Sequence, residues 1–182
     1  YLKELYPNAM DGQLREIAEF LMMSTAKPIV STASGVEASP RQQGSGLVNA
    51  IGAVTSGAYL SVPYDSFGST KPQIELGDDP DHNGVYTFKF SVNNLTDAEK
   101  TYTLDGSLLT EEVYEANGKK FMDGTDRELS GTVVFDKETV VVPAYGSVEI
   151  QVTVTLSEED KAWMEANLEN GIYVEGFVYL IA

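Results

Sequence analysis

The stretch Val85-Tyr86-Thr87-Phe88-Lys89-Phe90-Ser91-Val92-Asn93-Asn94 alternates apolar and polar side chains. Tyr86, Phe88, Phe90 and Val92 share one face; Thr87, Lys89, Ser91 and Asn93 share the other. Successive side chains of a strand point to opposite faces, so this pattern predicts a strand with one buried and one wet side. Val148, Ile150, Val152, Val154 and Leu156 repeat it, and shorter apolar runs lie at Thr101–Leu104, Thr132–Phe135 and Val140–Val142. Ile172–Ile181 is apolar on both faces apart from Glu175, which predicts a central strand. Turn chemistry separates the runs at Asn83-Gly84, Asn117-Gly118, Asp123-Gly124 and Pro143-Ala144-Tyr145-Gly146. About seven short strands at this spacing predict a mainly β chain with a sandwich of immunoglobulin or fibronectin type. One helix interrupts it: Ser157 precedes Asp160 by three residues, an N-cap arrangement, with Trp163, Met164 and Leu168 available to face the sheet.

The residues before this region read differently. Asp11 can cap a helix in which Leu14, Ile17, Ala18 and Leu21 recur at helical spacing, ending near Thr25 before Lys27-Pro28. Residues 29–43 hold Ser, Thr, Gly and Pro and read as irregular. Leu47, Ala50, Ile51 and Val54 fit a second short helix. Two such helices cannot bury their apolar faces against each other alone. The charge changes in the same place. Residues 1–60 carry four basic and five acidic groups, net −1, and residues 61–182 carry eight and 23, net −15. The expected division is a helical segment 1–60, a linker 61–71 and a sandwich 72–182.

The whole chain of 182 residues has 12 Lys+Arg against 28 Asp+Glu, a formal −16. That balance cannot readily build the basic stripe of a nucleic-acid binder, and an anionic membrane surface would repel it. No apolar run approaches the roughly 18 residues of a membrane span. The absence of Cys excludes disulfides and thiol chemistry. The chain opens on Tyr1 rather than Met, so a piece of a longer protein is expected.

Signs of chemistry are sparse. His82 is the sole histidine and lies in the polar loop Asp78-Asp79-Pro80-Asp81-His82-Asn83-Gly84, the setting of a solvated side chain. Asp79, Asp81 and Asn83, followed by Gly84, match the first half of a calcium loop. The match stops at Phe90, where a bidentate Glu is needed, and an ordinary turn is the main expectation. The acids of Asp123-Gly124-Thr125-Asp126-Arg127-Glu128, of Glu111-Glu112 and of Glu158-Glu159-Asp160 read as solvated faces with local ion pairs. Asn94-Leu95-Thr96 is a glycosylation sequon, meaningful only in a eukaryotic secretory setting. The tyrosines read first as packing residues and second as sugar or peptide contacts.

Three segments carry a family resemblance. They are Leu21-Met22-Met23-Ser24-Thr25-Ala26-Lys27-Pro28-Ile29, then Ser39-Pro40-Arg41-Gln42-Gln43-Gly44-Ser45-Gly46-Leu47-Val48-Asn49-Ala50, then Val142-Pro143-Ala144-Tyr145-Gly146-Ser147 with the Tyr173-Val174-Glu175-Gly176-Phe177-Val178 stretch. In this order they resemble the end of the catalytic domain and the following fibronectin type III-like domain of large cell-envelope subtilisin-like serine proteases, of the lactocepin and complement-cleaving surface peptidase type. Ser45 stands where that family usually has Ala. Tyr1-Leu2-Lys3-Glu4-Leu5-Tyr6-Pro7 resembles the stretch shortly after the nucleophile helix.

The resemblance implies a parent with a Ser-His-Asp triad upstream of these residues. The family's Asp, His and Gly-Thr-Ser-Met-Ala motifs are not present here, so no catalytic residue is carried over to any position. The expectation is a non-catalytic fragment of an extracellular or wall-associated endopeptidase, with a sandwich that supports the catalytic domain and helps position polypeptide substrates. Its partners would be the rest of the protease domain, a polypeptide substrate and, through the apolar faces of residues 1–60 (Leu14, Ile17, Leu21; Leu47, Ile51, Val54), the sandwich or a second copy of the chain. No cofactor is expected. The alternative is a stand-alone extracellular adhesion or ligand-binding β-sandwich module.

Overall fold

A computed structural model describes residues 1–63 and 70–182; part of the expected linker, residues 64–69, lies outside the described residues. The alternating stretch forms strand β2 (Val85–Asn94), flanked by β1 (Ala58–Ser61) and β8 (Ser147–Thr155), with β6 (Thr132–Phe135) beyond β8. All the pairings are antiparallel, and the register sets Phe90 opposite Ile150, Val92 opposite Val148 and Phe88 opposite Val152. The second layer is β7 (Thr139–Val142), β3 (Lys100–Gly106) and β9 (Val178–Ile181), in the order β7-β3-β9.

Period two does here what the sequence requires of it. Phe90, Val92, Ile150 and Val152 from one layer meet Leu104, Val140 and Val142 from the other, all buried, while Lys89 pairs with Glu149 at 2.6 Å on the wet face. Each such large apolar side chain removed from water contributes about 1.5–3 kcal/mol, so this seam is the main stabilising element of the sandwich.

Asn94, a sequon residue, is 3% exposed and cannot carry a glycan without unfolding its surroundings. Its side-chain amide donates to the carbonyls of Ala98 (2.7 Å) and Pro143 (3.0 Å), and its carbonyl accepts from Thr96 N–H (3.0 Å). It thereby ties the end of β2 to the β7–β8 turn.

Three expectations need correction. Ile172–Ile181 is not a central strand: only Val178–Ile181 is a strand, and it lies at the edge of its sheet, paired with β3 alone. The backbone of Ser107 lies so close to Gly176 that a Cβ there would sit 2.0 Å from its carbonyl oxygen, so only Gly fits at this position. The acidic region around Asn117-Gly118 holds a hairpin that the pattern concealed, β4 (Leu109–Ala116) and β5 (Lys119–Glu128). Its turn has Asn117 at φ +53° and Gly118 at φ +70°, as a two-residue hairpin turn demands. Residues 29–43 are not wholly irregular, since Pro40–Gln43 forms a helical turn (α3).

The helices follow local rules. After α1 (Leu2–Leu5), α2 spans Asp11–Thr25. Its N-cap position is Met10 rather than Asp11; the Gln13 side chain accepts the Met10 N–H (3.1 Å), and Asp11 instead pairs with Lys3 (3.2 Å). α4 is Ala50–Thr55, capped by the Asn49 side chain on Gly52 N–H (2.9 Å). α5 is Glu158–Asn167, capped by Ser157 on Asp160 N–H (3.0 Å). α2 packs on β1 and α4, with Phe20 and Leu21 buried and Leu14 and Ile17 half-buried. Leu47, Val48, Ile51 and Val54 stay exposed, Ile51 at 76%. Among the described residues no helix is long and apolar enough to cross a membrane.

Candidate functional site

The sequence singled out a loop, Asp79–Gly84, and the structure shows how that loop is held. Asp79 accepts backbone N–H groups from Asn83 (3.1 Å) and Gly84 (2.7 Å), which is turn chemistry. The same two bonds hold its carboxyl below the usual carboxylate range, although its partial desolvation pulls the other way. Asp81 is exposed, and among the described residues no group of three or more His, Cys, Asp or Glu is arranged to hold a metal. His82 sits at φ +51°, is 69% exposed, and faces Glu165 at 3.7 Å.

The convergence of polar groups lies elsewhere, on the face where residues 37–43 cross the sandwich. β4 starts beside residues 173–175: Leu109 and Glu175 exchange backbone hydrogen bonds of 2.8 and 2.9 Å, and the Thr110 hydroxyl donates to Tyr173 O (2.7 Å). A bulge between Glu111 and Val113 breaks the alternation of β4. Glu111 is 6% exposed, contrary to the solvated face expected for Glu111-Glu112, while Glu112 stays partly exposed and pairs with Arg127 (3.3 Å). In β5, Asp126 is 3% exposed, so the expected solvated cluster at 123–128 splits, with Asp123 outside closing its own turn on Thr125 N–H (2.6 Å).

Glu111, Asp126 and Glu175 together grip one turn of chain. Asp126 accepts the Ser39 N–H (2.8 Å). Glu175 accepts both the Arg41 N–H (3.1 Å) and Arg41 Nε–H (2.8 Å). Glu111 pairs with Arg41 Nη2 (3.2 Å) and accepts from Gln42 Nε2 (3.1 Å), whose amide also donates to Gly124 O (2.9 Å). The Arg41 guanidinium lies 3.8 Å from the centre of the Tyr173 ring. Just upstream, Glu37 accepts hydrogen bonds from the hydroxyls of Ser107 (3.0 Å) and Tyr179 (2.5 Å). Burial and then the Glu37 carboxylate push the Tyr179 hydroxyl well above its usual value.

Electrostatics make this clamp uneven. Glu175 and Glu111 share one guanidinium, while Asp126 holds only the Ser39 N–H. Partial burial works against the Arg41 charge, but Glu175 and then Glu111 hold it firmly protonated. Burial first, then the charges of Glu111 and Glu175, push the Asp126 carboxyl up, while the Ser39 N–H pulls it down. What these carboxylates hold is the chain itself: two backbone N–H groups, a guanidinium and a side-chain amide. One signal in the sequence could have exposed it. Glu175 is a lone acid inside an apolar run, and a buried charge requires a partner.

A family model described as an Fn3-like domain matches residues 74–181. Over 98% of its length the chain is 28% identical to a PII-type proteinase of Lactococcus lactis subsp. cremoris, and over 95% it is 24% identical to a C5a peptidase of Streptococcus pyogenes. A PII-type proteinase of Lacticaseibacillus paracasei is 28% identical over 95% of the chain. The chain spans only 9–14% of the length of these relatives.

Proposed function

The chain belongs to the Fn3-like domain family, and from that premise we propose that it is a non-catalytic segment of an extracellular or wall-associated subtilisin-like serine endopeptidase. The sandwich buttresses the segment that resembles the end of the catalytic domain and helps position long polypeptide substrates. The observation that carries this reading is the clamp. The residues gripped by Glu111, Asp126 and Glu175 are Ser39, Arg41 and Gln42, part of the same stretch that resembles the protease domain. An acidic sandwich surface also favours basic stretches of substrate through long-range attraction.

The test is made in the full-length relative-like protease with Arg41→Ala and Glu175→Gln. We expect peptide hydrolysis to keep its rate at low temperature and to be lost several degrees sooner on heating. The 182-residue chain alone should not cleave a fluorogenic peptide library. Cleavage by that chain, abolished by His82→Ala, would overturn the reading.

One observation favours the alternative of a stand-alone adhesion or ligand-binding module. Tyr114 and Phe121 stack at 5.4 Å on the outer part of the β4–β5 hairpin, 48% and 42% exposed. Loss of binding to host-surface polypeptides or glycans on an array, specific to Tyr114→Ser, would support that role.

A further inference from the structure

We propose that this chain carries two sites of spontaneous deamidation, Asn117 and Asn170, and that its fold shields a third of the same sequence chemistry, Asn83. The inference goes beyond the role proposed above and does not depend on it. Each of the three is followed by glycine: Asn83-Gly84, Asn117-Gly118 and Asn170-Gly171. Glycine has no Cβ to crowd the approach of its backbone nitrogen to the preceding side chain, so the local sequence favours the reaction at all three.

In that reaction the backbone nitrogen of the glycine attacks the Asn side-chain carbon Cγ. A C–N bond forms and the Cγ–Nδ2 bond breaks. The proton lost by the glycine nitrogen reaches the departing nitrogen through water, so that ammonia leaves. Water then opens the five-membered succinimide at either carbonyl, giving aspartate or isoaspartate. One water is consumed and one ammonia released, with no oxidant or reductant. The step needs a glycine N–H free to give up its proton and a backbone free to swing that nitrogen onto Cγ.

All three Asn residues are exposed, so access of water does not separate them. The glycines do. Gly84 is buried, its N–H donates to the Asp79 carboxylate (2.7 Å), and its carbonyl accepts the Leu156 N–H (2.8 Å). The same carboxylate holds the Asn83 N–H (3.1 Å) and opposes deprotonation of the nitrogen beside it. A Cβ on Gly84 would lie 3.0 Å from Lys161 and 3.1 Å from Leu156, so this backbone has little room to swing. Gly118 and Gly171 are exposed, and nothing lies within 4 Å of a Cβ built on either. Among the described residues the Gly118 N–H donates to no group, and the Gly171 N–H makes only a 3.3 Å bond to Leu168 O. Exposed turns open at little cost, whereas Gly84 must first leave a charged acceptor, a factor of about ten or more in the population open to attack.

The products fall in telling places. Isoaspartate adds a carbon to the backbone of a two-residue turn that holds Asn117 at φ +53° and Gly118 at φ +70°, and so disturbs the register that sets Tyr114 opposite Phe121. At Asn170 a new negative charge arises just before the Tyr173–Glu175 segment of the clamp.

The 182-residue chain, held at mildly alkaline pH and body temperature and sampled over days, tests this by peptide mapping that resolves the Asn, Asp and isoaspartate forms of each pair. The same chain in concentrated urea gives the rate of each pair without the fold. We expect Asn117 and Asn170 to convert at least about tenfold faster than Asn83 in the folded chain, and all three to converge in urea. Asp79→Ala, which frees the Gly84 N–H, should raise the Asn83 rate about tenfold and leave the other two unchanged. If that variant does not fold, amide exchange of the unmodified chain replaces it, with Gly84 protected and Gly118 exchanging freely. Conversion of Asn83 at the pace of Asn117 or Asn170 overturns the shielding, as does an Asn83 rate unmoved in folded Asp79→Ala or a Gly84 amide that exchanges as fast as Gly118. A folded chain in which Asn117 and Asn170 are as slow as Asn83 overturns the two sites.

Discussion

Replacing Arg41 by Ala removes the cation that Glu175 and Glu111 share. The guanidinium bonds Glu175 at 2.8 Å and Glu111 at 3.2 Å and covers the Tyr173 ring at 3.8 Å. The carboxylates it leaves behind have side chains only 10% and 8% exposed, so each loses the partner that offsets its burial. Breaking a fully buried pair by deleting one partner costs about 3–5 kcal/mol. Arg41 is itself 36% exposed, which halves that figure by screening, and losing the ring contact adds about 0.5–1 kcal/mol. The expected loss is about 2–3.5 kcal/mol. Because residues 37–43 lie outside the strands of the sandwich, the loss should be read in two ways: the urea midpoint of the whole chain, and the exchange protection of the Ser39 amide. Arg41→Lys keeps the charge but not the fork, and should cost about 1 kcal/mol. A double-mutant cycle with Glu175→Gln should yield a coupling of about 1–2 kcal/mol. If Arg41→Ala costs under about 0.5 kcal/mol and leaves Ser39 protected, the clamp is decoration and the argument is wrong.

Other expectations follow the same logic. Asn94→Ala leaves the Thr96 N–H without its acceptor and removes one of two bonds to each of the Ala98 and Pro143 carbonyls, and chemical denaturation should show a loss of about 1–2 kcal/mol. The same burial predicts that the chain secreted from eukaryotic cells carries no glycan at Asn94, which intact mass settles. Burial works against the charge of Asp160, but hydrogen bonds from Ser157 and Ser130 outweigh it and hold the carboxyl below its ordinary 3.8. Its contribution is therefore present above 3.8 and lost as pH falls through the folded value. Asp160→Asn should cost about 1 kcal/mol near neutrality and flatten the acid limb of a stability–pH profile. Gly176→Ala drives a methyl group into the Ser107 carbonyl, and thermal melting should report a loss of at least about 2 kcal/mol.

The sandwich was legible because its signal is local. The alternation at 85–94 and at 148–156 predicted β2 and β8 to within a residue, since a strand face needs only its own sequence to declare itself. The helix ending at Thr25 and the Ser157 cap were legible for the same reason. The β4–β5 hairpin was not legible as strands. Its acids broke the apolar pattern, and the bulge after Glu111 shifted the phase of what remained. Ile172–Ile181 misled in the other direction: it has the composition of a buried strand, yet only Val178–Ile181 pairs as one, at the edge of its sheet beside β3.

The sequence alone determined the β architecture, the acidic character and the absence of a thiol, because these depend on neighbours along the chain or on counts. It also held the stretches whose resemblance pointed to a subtilisin-like parent. Only the tertiary structure decided which of the 28 acids matter. Glu111, Asp126 and Glu175 look in sequence like solvated or stray charges. They become a site because folding brings them onto Ser39, Arg41 and Gln42, between 69 and 134 residues away. The behaviour of a carboxylate depends on the water removed from it and the charges set beside it, and both are supplied by remote parts of the chain.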